Sequence, residues 1–340
     1  MSRIKEYLAR RIVFSLAVLL GVLTLVFFFT RVVPSDPAAL YAGAHPTPEE
    51  VERIRHMLGL DKPLYIQYII YLEQFFTGRW GISYRTHHPI LYDIAHAVTA
   101  SLELVLAAFI IGVAAGILMG VLSALYANRH VDHFFRILAV IGASVPAFVL
   151  GLILQLVFAY WLNVLPVAGR ISFIYTIQGF HPITGFYTID ALLEGRLDVF
   201  IDVVKHLILP ALVLAAYPAA VTARMTRAVM IEVMEEQYVT AARAWGVDEK
   251  IILLKYVLRN SIAPSITVLA MSFAYTLVND FLVEVIFAWP GLGYYAAKAI
   301  LSMDYPAVIA SCVVGAIFYL VANTIADITH ALLDPRVALR

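Results

Sequence analysis

Five polar residues interrupt an apolar stretch in the last third of the sequence. Ser272, Thr276 and Asn279 recur every three or four residues, with Asp280 beside them and Glu284 one turn later. This spacing places Ser272, Thr276 and Asn279 on one side of a helix, with Asp280 at its edge and Glu284 on a neighbouring face. An isolated charge inside a bilayer costs about 2.5–3.5 kcal/mol, so such groups face protein or water. We predict a polar wall of a solute pathway in which Asp280 attracts cations; the alternatives are interhelical hydrogen bonds or carboxylates that reach interfacial water.

A charged, alanine-rich segment at 231–263 is the second group of interest. Its polar, aromatic and small residues could form a knob that docks on a cytosolic partner, and Gly246 predicts a break between two short helices. The alternative is a solvated connector. The residues predicted to contact the partner are Glu235, Glu236, Tyr238, Ala241, Ala242, Arg243, Trp245 and Gly246.

No motif in the chain indicates catalysis. The sequence contains no Gly-x-Ser-x-Gly, no His-Glu-x-x-His and no nucleotide-binding Gly-x-x-x-x-Gly-Lys-Ser/Thr. A single cysteine, Cys312, excludes an internal disulfide and a cysteine-based zinc site, and its apolar surroundings predict a small core residue. We therefore predict no enzyme activity and no metal or cofactor bound by this chain.

The elements that must position these groups are membrane helices. The 340 residues are 62% hydrophobic and 14% charged, whereas soluble domains are about half apolar and about a quarter charged. A span needs about 20 apolar residues, and Pro146, Pro210 and Pro218 are expected to kink spans without breaking them. The predicted spans are about 12–33, 99–127, 134–162, 205–230, 264–288 and 307–333.

The distribution of Lys and Arg predicts the orientation. Basic residues are concentrated in the short amino-terminal segment and in the segments on the same side, which places both termini in the cytoplasm. The chain then divides into 1–98, one helix with a long outer loop, and 99–340, a five-helix core that contains the loop 231–263. Within the outer loop, Thr47-Pro48-Glu49-Glu50 predicts a capped helix start, and Gly59 predicts a helix end.

The chain contains Tyr238-Val239, Arg259-Asn260 and Trp289-Pro290-Gly291-Leu292-Gly293 among other short strings that extend along nearly its whole length. Together these strings resemble the dipeptide/oligopeptide permeases of ATP-binding-cassette (ABC) importers. Tyr238-Val239 and Ala242-Arg243-Ala244-Trp245-Gly246 resemble that family's EAA loop. Further matches, in the family's order, are Arg31-Val32-Val33-Pro34-Ser35-Asp36-Pro37, Leu58-Gly59-Leu60-Asp61-Lys62-Pro63, Leu165-Pro166-Val167-Ala168-Gly169-Arg170, His206-Leu207-Ile208-Leu209-Pro210, Arg259-Asn260, Phe287-Ala288-Trp289-Pro290-Gly291-Leu292-Gly293 and Leu333-Asp334-Pro335-Arg336. The order and number of these strings make the resemblance specific.

The resemblance implies an all-α polytopic protein with the type I ABC importer architecture, in the cytoplasmic membrane. It also implies a second, homologous permease as partner, two cytosolic ATPases that bind ATP and Mg, and an extracellular or periplasmic binding protein that delivers peptides. The loop 231–263 would couple ATP hydrolysis to the spans.

Three departures from the family pattern concern partner contact and solute preference. Trp245 stands where the family often has Lys, Thr240 where the general pattern has Glu, and Asn279-Asp280 where small residues are usual. Oligosaccharides and metal chelates are alternative solutes. A stand-alone secondary transporter is the alternative class, but it predicts repeat symmetry between the halves and ion sites near the midplane, and the sequence shows neither.

Overall fold

The computed structural model describes residues 2–32, 38, 47–57 and 59–333. In these ranges the chain is built from helices. The strand-like pairing within them is an isolated antiparallel β-bridge between Ile82 and Pro89. The helices are α1 (Ser2–Val32), α2 (Pro48–Met57), α3 (Leu64–Phe76), α4 (Ile90–Leu125), α5 (His130–Ser144), α6 (Ala147–Leu154, continued as a π-helix over Gln155–Trp161), α7 (Phe173–Ile177), α8 (Tyr187–Leu193), α9 (Leu197–Met234), α10 (Gln237–Ala244), α11 (Glu249–Ile251, continued as a π-helix over Ile252–Leu258), α12 (Arg259–Ile286), α13 (Leu292–Leu301) and α14 (Tyr305–Leu333).

The predicted all-α polytopic fold is confirmed. By length and composition, α4, α9 and the Tyr305–Ile325 part of α14 can each cross a bilayer. α5 and α6 form a bent pair that gives a fourth crossing if the two helices make up one span. The two other predicted spans fall on α1, whose apolar part is Val13–Phe29, and on α12. The count of six spans and the two-part division of the chain stay predictions.

Small residues let α4 and α9 approach closely. Gly112, Gly116 and Gly120 recur every four residues on α4 and face α9. A methyl group at Gly116 would lie 2.6 Å from the Ala219 carbonyl oxygen, and one at Gly120 would lie 2.6 Å from Thr226. Backbones in such contact gain van der Waals energy along their length. Helices in a membrane associate through this packing, because surrounding lipid leaves no hydrophobic driving force between them.

Proline has opposite effects in two predicted spans. Pro210 and Pro218 lie inside the continuous helix α9, as predicted. The prediction that Pro146 only kinks its span is wrong, because α5 ends at Ser144 and the chain bends by 110° before α6 begins. Val145 takes an extended conformation (φ −75°, ψ 125°), the conformation that a following proline favours.

The outer segment after α1 confirms the predicted helix signals. The Thr47 amide donates to the Glu50 carboxylate (2.9 Å), and the Glu50 amide donates back to the Thr47 hydroxyl (3.3 Å). Gly59 then takes φ +64° where the turn ends. The Tyr68 hydroxyl of α3 lies 2.6 Å from the Thr24 hydroxyl of α1. The expected position of α3 at the membrane surface stays a prediction, and 33–37 of the amino-terminal signature and 334–340 of the tail lie outside the described residues.

Candidate functional site: the hairpin and two cavities

The segment after α9 folds as a hairpin of two helices, as predicted. α10 ends at Ala244, and Gly246 takes φ +74°, a left-handed conformation that favours glycine. The Asp248 carboxylate then accepts a hydrogen bond from the Lys250 amide (2.8 Å) and caps the second arm. That arm runs through its π-helical stretch into α12 without a break, so helix begins well before the predicted span edge at 264.

One side of the hairpin is packed against its own chain. Val239 and Ala242 are buried together with Met230, Ile252 and Val257. Ala242 is therefore turned inward, and its small size serves packing inside the subunit. This contact fixes the hairpin to the carboxyl-terminal end of α9, and the second arm of the hairpin continues into α12.

The opposite side of the hairpin faces outward. Trp245 is 86% exposed and Tyr238 42%, and Glu235, Glu236, Ala241 and Gly246 are exposed as well. Arg243 forms an ion pair with Glu249 (2.8 Å) across the turn, and its hydrogen bond lowers the pKa of the Glu249 carboxyl. A tryptophan left almost fully exposed beside a tyrosine is typical of a surface that a partner covers.

A buried ion pair that the sequence did not reveal braces the base of the hairpin. Asp132, fully buried at the start of α5, accepts two bonds of 2.7 Å from Arg227 of α9. Asp132 also accepts hydrogen bonds from the Ser123 hydroxyl (2.5 Å) and the Asn128 amide (2.9 Å). These bonds lower the pKa of the Asp132 carboxyl below its usual range, and the bond from Arg227 has the largest effect. The charge of Arg227 was a sequence signal for orientation, but nothing marked Asp132 as its partner.

The five predicted pathway residues do not line one surface. Thr276 and Asn279 line a cavity of about 330 Å³ at the bend between α5 and α6. Asp280 lines a second cavity of about 270 Å³, between α4, α12, α13 and α14. Ser272 is buried and donates to the Leu269 carbonyl (2.9 Å). The prediction of Cys312 as a core residue is wrong, because its side chain is exposed and lines the second cavity.

Glu284 joins three segments. Its carboxylate accepts hydrogen bonds from the Ser101 hydroxyl of α4 and from the amides of Gly293 (2.6 Å) and Tyr294 (3.1 Å) at the start of α13. These amides have no partner within their own helix, so a carboxylate there acts as a cap. Glu284 is 1% exposed, so its role is to hold these segments together.

The contacts of Glu284 also explain two glycines of the Trp-Pro-Gly-Leu-Gly string. A methyl group at Gly293 would lie 2.6 Å from the Phe281 Cα, and one at Gly291 would overlap the Glu284 carboxylate. Asp280, one turn before Glu284, is 4% exposed, and its Oδ1 atom has no hydrogen-bond partner among the described residues.

A second buried ion pair holds the loop that precedes α9. Arg170 donates to the Glu103 carboxylate (2.9 Å from Nε) and to the Gly185 carbonyl (2.5 Å), and it lies 3.7 Å from the centre of the Tyr187 ring. Glu103 also accepts from the Thr188 hydroxyl (2.7 Å). Sequence reasoning placed Arg170 in a family string without a role; its role is to tie the loop before α9 to α4. Among the described residues no three His, Cys, Asp or Glu side chains converge as a metal site.

Comparison with known proteins agrees with the predicted family. Residues 81–339 match the family described as binding-protein-dependent transport system inner membrane component, and residues 4–105 match the amino-terminal region of such components. The chain is 41% identical over 323 residues to a probable D,D-dipeptide transport system permease protein of Escherichia coli strain K12, with 94% of each chain covered.

Two further relatives extend the similarity to nearly the whole chain. A di/tripeptide transport system permease protein of Pseudomonas aeruginosa is 38% identical over 333 residues, and a dipeptide transport system permease protein of E. coli K12 is 36% identical over 334 residues; 98% of each chain is covered in both cases. From the length of these matches, the chain belongs to the family of binding-protein-dependent transport system inner membrane components.

Proposed function

We propose that this chain is one permease subunit of an ABC importer for di- or oligopeptides and forms half of the translocation pathway. The observation that carries the proposal is the near full-length similarity to relatives named for dipeptide and di/tripeptide transport. The all-helical fold and the exposed hairpin support it. A second, homologous permease would supply the other half, and a periplasmic or extracellular binding protein would deliver the peptide.

The hairpin would be the contact with the ATPases. Its outer side presents Trp245 and Tyr238, while its inner side is packed on α9 and its second arm continues into α12. Two cytosolic ATPases, which bind ATP and Mg, would each hold one permease's hairpin, so that their closure turns α12 within the membrane. The permease itself would need no nucleotide site. In this arrangement the hairpin and both termini would lie in the cytoplasm, which agrees with Arg224, Arg227 and Arg243 on the same side.

The solute path would run along Thr276 and Asn279. These two residues line the cavity at the bend between α5 and α6, whereas Ser272 and Glu284 are engaged in contacts within the chain. Asp280 lines the other cavity, and its buried Oδ1 atom has no hydrogen-bond partner among the described residues, so it lies outside this path.

Replacing Trp245 tests the hairpin contact. An exposed tryptophan that becomes buried at an interface typically contributes about 2 kcal/mol or more, so Trp245→Ala should weaken ATPase binding by about thirtyfold or more. The measurement is the ATPase concentration that half-saturates the purified permease pair. Trp161→Ala is the matched control, because Trp161 is also exposed (67%) but lies at the far end of α6. Equal binding by both variants and the parent chain would show that the hairpin is a solvated connector.

A further inference from the structure

The break between α5 and α6 leaves three backbone carbonyls without helical partners. The Gly142 carbonyl would pair with the amide of residue 146, but Pro146 has none. The carbonyls of Ala143 and Ser144 would accept hydrogen bonds from the next two amides along the chain, but the 110° bend moves those amides out of reach. Within the described part of the chain, no donor reaches any of these three oxygens. The broken helix therefore presents a row of hydrogen-bond acceptors.

If α5 starts at the membrane surface, as the predicted span 134–162 implies, these acceptors lie at membrane depth. α5 has 15 residues, so at about 1.5 Å per residue its outer end lies up to about 22 Å from its inner end, within a hydrocarbon core of about 30 Å. Unpaired backbone is tolerated at that depth only where protein or a water-filled cavity covers it. The cavity of about 330 Å³ meets this requirement, because Gly142, Ala143 and Ser144 line it. We call it the break cavity.

The side chains of the break cavity add further acceptors and aromatic rings. Asn279 donates through Nδ2 to the Tyr275 carbonyl (3.0 Å), and its Oδ1 accepts from no described residue. Thr276 uses its hydroxyl proton on the Ser272 carbonyl (2.8 Å) and keeps its oxygen as an acceptor. The rings of Tyr217 and Tyr275 stack with centres 4.0 Å apart.

The lining selects for a ligand with N–H donors. The residues that line the break cavity include no Asp, Glu, Lys or Arg, so the cavity has no charge that would select among side chains. Its carbonyl oxygens match an ammonium group or amide N–H groups, and the tyrosine rings attract a cation through their faces. A peptide with a free amino end carries both kinds of donor in its backbone whatever its side chains, unless proline at the second position removes the first amide N–H.

We propose that the break cavity is a subsite of the translocation path that holds the amino end of a peptide. The α-ammonium and the first amide N–H donate to the carbonyls of Gly142, Ala143 and Ser144 and to Asn279 Oδ1. This inference rests on the proposed function and assigns the peptide a place within it. It also accounts for passage of different peptides, since the contacts are to the backbone common to all of them.

Thiol protection tests the subsite directly. Ser144→Cys in a Cys312→Ser background leaves one thiol in the break cavity, whereas the parent chain has its one thiol in the second cavity. The complete transporter is reconstituted in proteoliposomes and exposed to a charged, water-soluble thiol reagent with and without a mixture of dipeptides. We expect the dipeptides, with ATP and the binding protein, to slow labelling of Ser144→Cys several-fold. Labelling of Cys312 in the parent chain should not change.

Uptake kinetics provide the second measurement. Asn279→Leu removes an acceptor and should raise the half-saturating peptide concentration by about fivefold, the loss of one hydrogen bond, while peptide-loaded binding protein still stimulates ATP hydrolysis. Tyr319→Leu, on the wall of the second cavity, is the control and should leave uptake unchanged.

The outcomes separate the subsite from the proposed function. Peptide uptake without protection of Ser144→Cys, or with equal effects of Asn279→Leu and Tyr319→Leu, would overturn the subsite and leave the importer intact. Absence of labelling in a transporting complex would also overturn it, because the partner permease would then fill the cavity. A complete complex that carries no dipeptide would overturn both.

Discussion

Three buried carboxylates join segments that are far apart in the sequence. Glu284 connects α12 to α13 and α4, Asp132 connects α5 to α9, and Glu103 connects α4 to the outer loop through Arg170. Each accepts several hydrogen bonds, which is the condition under which a buried charge is tolerated. Glu284 and its neighbours were visible in the sequence as polar residues at helical spacing. Their partners were not, because contacts between distant segments depend on the packing of whole helices.

Removing one side of the Asp132–Arg227 pair should destabilise the permease. Loss of one partner leaves the other charge buried without a counter-ion, which lowers the free energy of unfolding by about 3–5 kcal/mol when both groups are fully buried. Because Arg227 is 23% exposed, we expect Asp132→Ala to lower the free energy of unfolding by about 3 kcal/mol. The measurement is unfolding of the purified protein in detergent. Arg243→Ala breaks an exposed pair and should cost about 1 kcal/mol or less. Equal losses in the two variants would refute the bracing role of Asp132.

Gly293 should not tolerate even a methyl group. Gly293→Ala places Cβ 2.6 Å from a backbone atom of α12 and 3.0 Å from the Glu284 carboxylate. Relieving the clash must separate α13 from α12, and overpacking of this kind costs about 1–3 kcal/mol. We expect a lower yield of folded permease in the membrane and a lower unfolding temperature. Gly315→Ala is the control, since nothing lies within 4 Å of its added carbon. A Gly293→Ala protein as stable as Gly315→Ala would contradict this account of the string.

At the scale of elements, the sequence predicted the helices better than their breaks. Pro146, Pro210 and Pro218 all stand in apolar runs, and each removes one backbone donor. α9 stays continuous through its two prolines because it packs along α4, where Pro218 lies against Gly112. Before Pro146 the chain turns, and a cavity takes the place of packing. All three prolines have apolar sequence neighbours, so the local sequence does not distinguish them. Packing against the neighbouring helix decides between a continuous helix and a break.

The turn of the hairpin should be essential for coupling. Gly246 has φ +74°, and an L-residue there costs roughly 1–2 kcal/mol. Since no atom lies within 4 Å of an added Cβ, Gly246→Val should strain the turn and shift α10 against α11 without unfolding the subunit. We expect the variant to reach the membrane but to lose peptide uptake and stimulated ATP hydrolysis.

A matched glycine in the outer segment separates coupling from general strain. Gly78 has φ +72° and equally open surroundings, but it follows α3. Gly78→Val should therefore keep uptake, although its backbone strain is similar. If Gly246→Val transports as well as Gly78→Val does, the hairpin does not transmit the movement of the ATPases.

At the scale of the whole molecule, composition and short family strings were sufficient for the fold class and the family. An excess of apolar residues specifies a membrane protein whatever the details of packing. Strings such as Trp289-Pro290-Gly291 mark a family because their residues meet specific packing requirements, such as the space that Gly291 leaves for the Glu284 carboxylate. The site was predicted less completely. Residues 272–284 were expected to form one polar wall, but adjacent positions on a helix point to different sides, and α12 has a cavity on each side.

The central claim is that this chain imports peptides only as one part of an ATP-driven complex. The most direct measurement is accumulation of a radiolabelled dipeptide in proteoliposomes that contain this chain, the second permease, both ATPases and the binding protein. We expect the dipeptide to accumulate against its gradient only when ATP is present, and not at all when this chain is omitted. Saturable, gradient-driven uptake of the peptide by liposomes that contain this chain alone would contradict it.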